Sequence, residues 1–186
     1  MAKSDISKIH IENVVATATI GVELDLHEIS MRLDGAEYDR ERFPGLIYRL
    51  NNPKTAMLLF ESGKIVCTGA KGVDQVYEAI NKVLDNLKKL KFDIGNKLEI
   101  NIQNIVATYD LGKELNLNTI AITLGLERIE FEPEIFPGLV YRQDEPKVVM
   151  LLFGSGKVVC TGAKNVDAIK DAIDNLSDEL SAGGIL

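Results

Sequence analysis

The sequence predicts an α+β protein with pseudo-twofold symmetry, and three observations lead to this fold class. The same motifs occur twice, as PGLIYRL and SGKIVCTGAK in the first half and as PGLVYRQ and SGKVVCTGAK in the second. Each copy contains short β-rich segments joined by turns too short for a parallel crossover, which favours antiparallel pairing. Each copy also closes with an amphipathic helix. We therefore expect two similar halves that share one sheet or one core.

The duplication covers nearly the whole chain. Equivalent residues lie 93 positions apart at Phe43 and Phe136, and 91 apart at Asn13 and Asn104, so the second copy carries a two-residue insertion. Two copies of this length are too few and too long for a solenoid. We assign the first repeat to residues 1–94 and the second to residues 95–186.

The elements of each copy follow from local patterns. Alternating runs rich in Val, Ile and Thr predict a first strand at 11–20 and at 100–109. Short helices are expected at 24–33, capped by Asp25, and at 115–124, near Asn116 and Asn118. In the first copy, hairpin turns separate strands at 46–50, 55–60 and 64–70, and a further strand is expected at 36–38. Apolar residues at spacings of three and four from Val73 to Leu90, and again from Val166 to Leu180, predict the closing helices.

Composition and charge narrow the class of protein. No apolar run reaches the length of a membrane span and the first eight residues are polar, so we expect a soluble intracellular protein. Cys67 and Cys160 occupy equivalent positions in apolar strands, which indicates buried thiols rather than a disulfide or a metal site. The net charge of −7 is unevenly distributed, with 13 basic and 14 acidic residues in 1–94 against 8 and 14 in 95–186. The acidic second half argues against nucleic acid wrapped on all sides and favours a basic protein partner there.

Strand alternation predicts a binding surface. Side chains of successive strand residues point to opposite faces, and both faces of this sheet are largely apolar although the helices can cover only one. An uncovered apolar face suggests a partner, whereas burial against the other repeat in a sandwich is the alternative. Thr and Asn on this face, and the lack of Asp and Glu, favour the binding surface. The face consists of Asn13, Val15, Thr17, Leu58, Phe60, Val66 and Thr68 in the first repeat and Asn104, Val106, Thr108, Leu151, Phe153, Val159 and Thr161 in the second.

Hairpin register predicts one phenylalanine pair in each repeat. If the strands around residues 51–54 pair antiparallel, Phe43 and Phe60 become neighbours at the end of the hairpin away from the turn. The same arithmetic brings Phe136 next to Phe153. The alternative is that all four rings are core aromatics, the usual place of phenylalanine.

The sequence does not indicate catalysis. The segment GSGK that ends at Lys157 is similar to a phosphate-binding loop, but no Ser or Thr follows the lysine and a strand rather than a helix comes next. His10 and His27 have no recognisable nucleophile as partner. We expect no catalytic residue, no metal and no cofactor.

In order along the chain, NVVATATIG, RFPGLIYR, SGKIVCTGAK, QNIVATYDLG, EPEIFPGLVYR and SGKVVCTGAK resemble the TATA-binding protein family in its archaeal form. The resemblance extends over almost the whole chain. It implies a saddle-shaped protein in which one curved ten-stranded antiparallel sheet spans both repeats, with four helices on its convex face. It also implies a general transcription initiation factor whose concave sheet face binds the minor groove of double-stranded TATA-box DNA.

The resemblance also assigns roles to residues. Intercalating wedges kink the duplex, for which TATA-binding protein is itself the standard example, and they would be Phe43, Phe60, Phe136 and Phe153. The minor-groove contacts would be Asn13, Val15, Thr17, Leu58, Val66, Thr68, Asn104, Val106, Thr108, Leu151, Val159 and Thr161. The phosphate contacts would be Arg42, Arg49, Lys64, Lys71, Arg142, Lys157 and Lys164.

The implied protein partners are transcription factor B and the RNA polymerase pre-initiation complex, and no membrane partner is expected. Glu132, Glu134 and Ile135 match the family's contact for transcription factor B. An archaeal member acts in the cytoplasm at the nucleoid, and a eukaryotic one in the nucleus.

Three questions stay open at the level of sequence. The RERFPG segment around Glu41 and Pro44 departs from the KRFAA of eukaryotic members, which leaves the orientation on DNA open. The free protein could dimerise through its apolar face. The alternative function is a binding module that uses the same face for an apolar ligand or a protein.

Overall fold

The chain runs through the same series of elements twice. The computed structural model describes residues 8–125 and 127–186. The first series is β1 (His10–Thr19), α1 (Leu26–Arg32), β2 (Ala36–Glu37), β3 (Leu46–Asn51), β4 (Lys54–Leu59), β5 (Lys64–Ala70) and α2 (Val73–Lys89). The second is β6 (Glu99–Asp110), α3 (Leu117–Leu124), β7 (Ile129–Glu130), β8 (Leu139–Gln143), β9 (Val148–Leu152), β10 (Lys157–Ala163) and α4 (Val166–Ala182).

The described strands form one ten-stranded sheet in the order β2-β3-β4-β5-β1-β6-β10-β9-β8-β7. Every strand pair with a resolved register is antiparallel. The predicted fold class of one ten-stranded antiparallel sheet with four helices is therefore confirmed. By internal contacts the chain divides into two compact units, one of Asn13–Gln103 and one of residues 8–12 together with Asn104–Leu186.

Hairpin register follows the sequence closely. In the first unit β3 pairs with β4 from Leu46 with Leu59 to Asn51 with Lys54. Only Asn52 and Pro53 are left for the turn, as expected for two residue types that favour turns. The register predicted from residues 51–54 is thus confirmed.

The helix-covered face of each unit is a dry core. In the first unit Val14, Met57 and Ile65 are fully buried beneath α2, whose own Val76 and Ile80 are also fully buried. The equivalent thiols Cys67 and Cys160 are both buried and unbonded, as predicted. Burial raises the pKa of Cys67 to about 11 and that of Cys160 to about 12, so both stay protonated and unreactive at neutral pH.

Side-chain caps fix where three helices begin. Asp25 accepts a hydrogen bond from the Glu28 amide at 2.9 Å, and Asn116 accepts one from the Thr119 amide at 3.1 Å. Asn165 does the same for α4. The predicted short helices began two residues early because their apolar spacing continues through the capping residue, which has extended backbone.

The second unit contains a polar cluster that the sequence patterns did not predict. Arg128 donates to the Tyr141 hydroxyl at 3.1 Å and to Glu179 at 3.2 Å, and the Tyr141 hydroxyl donates to Glu179 at 3.0 Å. Burial and this bond to Glu179 raise the pKa of Tyr141 to about 12. Gly35 and Asn86 stand at the equivalent positions of Arg128 and Glu179. The cluster therefore ties α4 to β8 by contacts that the first unit cannot make in the same way.

Candidate nucleic-acid interface

The second face of the sheet is left uncovered by helices in each unit. In the first unit Val15, Leu58 and Val66 are half-buried, while their neighbours on the helix-covered face are buried. Val66 pairs with Leu58 on one side and with Thr17 on the other, so three strands contribute to one continuous patch. In the second unit Val159 likewise pairs with Leu151 and Thr108. Strand alternation therefore predicted this face correctly, and each unit has its own apolar patch.

A β-bulge sets an asparagine into the first patch. Pairing of β1 with β5 shifts between Val14–Ala70 and Ala16–Cys67, which leaves an extra residue in β5. Gly69 lies in this bulge with φ of +95°, a conformation that favours glycine. Its amide donates to Oδ1 of Asn13 at 2.7 Å. The asparagine side chain thus satisfies a backbone group that the bulge removes from the ladder.

The second unit repeats this arrangement. β10 shifts register between Cys160–Ala107 and Ala163–Ile105, and Gly162 has φ of +101°. The Gly162 amide donates to Oδ1 of Asn104 at 2.7 Å. The repeated CTGA motif therefore has a physical reason, since its glycine supplies the positive φ of the bulge.

The bulges fix which way the amides point. Because Oδ1 accepts from backbone, Nδ2 of each asparagine is the outward donor, and it donates to Thr68 at 3.4 Å or to Thr161 at 3.1 Å. An amide nitrogen carries two protons, so one remains for a ligand acceptor. Each patch therefore offers a hydrogen-bond donor amid apolar side chains.

The four predicted phenylalanines form two ring pairs, as the hairpin register indicated. The centroids of Phe43 and Phe60 lie 6.0 Å apart at 65°, and those of Phe136 and Phe153 lie 5.9 Å apart at 72°. These are edge-to-face arrangements. Phe136 is 37% exposed, and the other three rings are half-buried rather than enclosed in the core.

Glycines make room for both ring pairs. A Cβ at Gly45 would lie 2.7 Å from the Phe43 ring, and one at Gly138 would lie 2.6 Å from the Phe136 ring. In both cases the second ring of the pair would be 3.1 Å away. The FPG motif therefore couples each aromatic ring to the glycine that lets it pack there.

The predicted basic residues lie at strand ends and at the sheet margin. Lys64 and Lys157 begin β5 and β10, and both are exposed. Arg49 pairs with Glu37 at 2.8 Å and Arg142 with Glu130 at 3.1 Å, in exposed ion pairs that can be exchanged for a phosphate at small cost. The remaining predicted phosphate contacts, which are exposed as well, are Arg42, Lys71 and Lys164.

An acidic loop precedes the phenylalanine of the second unit. Glu132 and Glu134 are exposed, and Ile135 is 80% exposed. The amides of Ile135 and Phe136 both donate to the Glu132 carbonyl at 2.9 Å, which makes a tight turn. The first unit has Arg42 in place of Ile135, so the two loops differ in charge and in apolar surface.

Gln103 and Glu12 also border the uncovered face, although strand alternation assigns them to the opposite one. Gln103 donates to Oγ1 of Thr17 at 2.9 Å, and Glu12 accepts from Oγ1 of Thr108 at 3.0 Å. Gln103 and Glu12 both have long side chains, which can reach a threonine on the other face. Aligning the repeats at an offset of 91 would have paired these two positions, but nothing in the sequence shows which way they turn.

The described residues include no group of three or more His, Cys, Asp or Glu side chains placed to hold a metal ion. No helix in 8–125 or 127–186 is long and apolar enough to cross a membrane.

A duplicated antiparallel sheet that keeps one apolar, donor-bearing face uncovered is an arrangement that suits the class of β-sheet readers of DNA. The chain belongs to the TATA-binding protein family. The family model described as "Transcription factor TFIID (or TATA-binding protein, TBP)" matches residues 8–90 and 99–182. This confirms the resemblance seen in the motifs, and the family is one of DNA-binding transcription factors rather than enzymes.

Archaeal relatives match over nearly the full length. The TATA-box-binding protein of Picrophilus torridus is 54% identical over 183 residues, which cover 98% of this chain and 100% of that protein. That of Natronomonas pharaonis is 57% identical over 178 residues, covering 96% of this chain and 95% of the relative. The solved structure of Methanococcus jannaschii TBP matches with a TM-score of 0.87 at 51% identity, covering 94% of this chain and 99% of that one.

Proposed function

We propose that this chain is a general transcription initiation factor that binds the minor groove of TATA-box DNA with the uncovered face of its sheet. The observation that carries the proposal is the fixed orientation of two asparagine side-chain amides, one in each unit. Asn13 and Asn104 both present amide protons from an apolar surface because their oxygens are held by bulge amides. In the minor groove A·T and T·A pairs present only acceptors, so these donors fit A·T pairs.

The apolar patches support the same preference. A G·C pair adds an amino group that protrudes into the minor groove. Apolar patches built from Val15, Leu58 and Val66, and from Val106, Leu151 and Val159, would pack on A·T edges and leave that amino group without a partner. The cost of an unpaired buried donor is about 1–3 kcal/mol.

The phenylalanine pairs are the proposed wedges. Apolar wedges partly unstack base steps and kink DNA toward the major groove, as established for TATA-binding protein itself. Phe43 with Phe60 and Phe136 with Phe153 suit this role because each pair stands at a hairpin end and is not enclosed. The repeats 1–94 and 95–186 would each supply one wedge pair and one patch.

Basic residues at the sheet margin would meet the phosphates. Seven were predicted, namely Arg42, Arg49, Lys64, Lys71, Arg142, Lys157 and Lys164. If all seven neutralise a phosphate, the slope of log affinity against log salt is about −6. The two relatives named above are archaeal, which supports a cytoplasmic site of action at the nucleoid.

Binding to two duplexes that differ only in the core tests this function. We expect the purified protein to bind and bend a duplex with a TATA-like core, and to bind a G·C-rich duplex of equal length at least a hundredfold more weakly, since several mismatched pairs each cost about 1–3 kcal/mol. Fluorescence anisotropy gives the affinities, and energy transfer between dyes on the duplex ends gives the bend. Equal and weak binding to both duplexes would contradict the proposal and favour a ligand-binding or protein-binding module.

We further propose that Glu132, Glu134 and Ile135 bind a basic surface of transcription factor B, which then brings in RNA polymerase. The turn held by the Glu132 carbonyl exposes Ile135 directly after Glu134, so an apolar side chain and two carboxylates belong to the same short loop. Arg42 at the equivalent position of the first unit would repel the same partner.

Charge reversal in this loop should separate the two activities. Glu132→Lys with Glu134→Lys is expected to weaken capture of transcription factor B on DNA roughly tenfold or more, while binary binding to the TATA duplex is retained or tightened. The matched control is Asp39→Lys with Glu41→Lys, at the equivalent positions of the first unit. If the control weakens the ternary complex as much as the test variant in a gel-shift titration, the loop is not the contact.

A further inference from the structure

The two units hold their equivalent threonines with different partners. In the first unit the amide of Gln103 donates to Oγ1 of Thr17 at 2.9 Å. In the second unit Oγ1 of Thr108 donates to the Glu12 carboxylate at 3.0 Å. Glu12 and Gln103 are 91 residues apart, as are Thr17 and Thr108, so the two pairs are equivalent by the duplication. One repeat position therefore carries an amide in one pair and an acid in the other.

This exchange changes what each threonine offers to a ligand. A hydroxyl has one proton and two lone pairs. A carboxylate can only accept, so Thr108 gives its proton to Glu12 and presents lone pairs to anything that approaches. An amide can donate, as Gln103 does, and this leaves the proton of Thr17 available. The Thr17 hydroxyl can thus donate to a ligand and keeps one lone pair, whereas the Thr108 hydroxyl can only accept.

Both threonines lie on the uncovered face, beside its apolar patches. Thr17 pairs with Val66 in the first unit, and Thr108 pairs with Val159 in the second. Glu12 and Thr108 also line an open hollow of about 540 Å³ together with His10, Asp110 and Lys157, which leaves room beside the hydroxyl. The acceptor group is therefore accessible from the face that is proposed to contact DNA.

The minor groove offers one group that an acceptor can bind. Adenine N3 and thymine O2 are acceptors, and only the guanine N2 amino group donates. The proton of Thr17 can pair with the acceptors of an A·T pair, whereas a guanine amino group finds there only the one lone pair that Gln103 leaves. An acceptor at Thr108 matches the guanine amino group and has no favourable partner on an A·T pair. The two units are thus suited to different base pairs at equivalent positions.

We propose that Glu12 is a specificity-determining residue, which makes the second unit tolerate a G·C pair opposite Thr108 while the first unit favours A·T opposite Thr17. The inference rests on the proposed minor-groove function and extends it. A site with one off-centre G·C pair would then be bound in one orientation, with that pair against Thr108. The bias is a property of the protein alone and needs no second factor.

Three duplexes measure the asymmetry without any knowledge of which end faces which unit. The first has a self-complementary A·T core, the second has one G·C pair introduced off-centre, and the third has G·C pairs at both symmetry-related positions. Because the protein can turn around on the duplex, the first G·C pair can always be directed to Thr108. We expect the first substitution to weaken binding by less than threefold and the second to weaken it by a further factor of roughly tenfold or more.

Changing the residue type at Glu12 or at Gln103 should change the loss of affinity that each G·C substitution causes. In E12Q the first substitution should weaken binding as strongly as the second, since neither unit then has an obligate acceptor. In Q103E both substitutions should become mild, because both threonines then donate to a carboxylate. Either variant changes the charge near DNA, so each affinity is compared with that of the same variant on the A·T core, and circular dichroism checks that the variants fold.

The outcomes separate this inference from the function on which it rests. If the unmodified protein prefers the A·T core and the E12Q and Q103E costs match those of the unmodified protein, Glu12 does not set specificity and the proposed function stands. If the unmodified protein shows no preference among the three duplexes, the minor-groove function itself fails. Unequal costs that become equal in both variants, high in E12Q and low in Q103E, support the inference.

Discussion

Replacement of both Phe60 and Phe153 by alanine is expected to abolish the DNA bend and to weaken binding to the TATA duplex by a hundredfold or more. Each ring forms one side of an edge-to-face pair at the end of its hairpin, at 6.0 Å from Phe43 and 5.9 Å from Phe136. Without it the remaining ring loses its support and cannot hold a base step open. Stacking of a base on an aromatic ring contributes about 1–3 kcal/mol, so two wedges account for about 2–6 kcal/mol.

The same variant should remain folded. Both rings are only half-buried, so their removal costs less than the roughly 3–5 kcal/mol of a fully buried phenylalanine. Phe92→Ala is a matched control, because this ring belongs to neither pair. Its centroid lies 4.6 Å from Cζ of the Arg32 guanidinium. The bend is measured by energy transfer across the duplex and the fold by thermal unfolding. A folded double variant that bends DNA as before would show that the four rings serve packing alone.

Exchange of both asparagines for aspartate is expected to lower affinity for the A·T duplex by roughly tenfold to a hundredfold per site, since a good polar contact to a base edge contributes about 1–3 kcal/mol. In Asn13→Asp and Asn104→Asp the carboxylate can still accept from the bulge amides of Gly69 and Gly162 at its present 2.7 Å. The outward donor is replaced by an acceptor that faces acceptors on the DNA. The fold is therefore retained, while each patch presents an acceptor to the DNA where it had presented a donor.

Asn165→Asp is the control for this pair. Asn165 caps α4 by accepting from the Ala168 amide at 2.8 Å, and aspartate caps a helix equally well. It has the same chemistry but lies outside the proposed interface, so the DNA affinity should not change. Anisotropy titrations on one duplex compare all three variants. Unchanged affinity in Asn13→Asp and Asn104→Asp would mean that the locked amides do not meet the bases.

The fold could be predicted from the sequence because its determinants are local or repeated. Alternation assigned the faces correctly, and the two-residue turn at Asn52 and Pro53 set the register of β3 on β4. The capping residues Asp25 and Asn116 are recognisable from the sequence alone, because both are residue types that favour the N-cap position. Because of the duplication these patterns occur in both repeats, which makes a chance pattern easy to recognise.

What escaped prediction depends on contacts between residues far apart in the chain. The bond between Asn13 and Gly69 needs a bulge, and a bulge shifts the count on which alternation relies. Arg128 and Glu179 meet across 51 residues in a pair with no counterpart in the first unit. The turn of Gln103 toward Thr17 contradicts strict alternation altogether. Side-chain reach, rather than backbone period, decided these cases.

The presence of both units in a single chain has a genetic consequence. In a homodimer of identical subunits every substitution appears on both sides of the symmetry axis, so the two sides of a site cannot diverge. Fusion of the copies removes this constraint. Glu12 can differ from Gln103, and Ile135 from Arg42, while the bulge glycines Gly69 and Gly162 are the same in both copies. Single-codon changes can therefore make the two ends of a nearly symmetric protein different from each other.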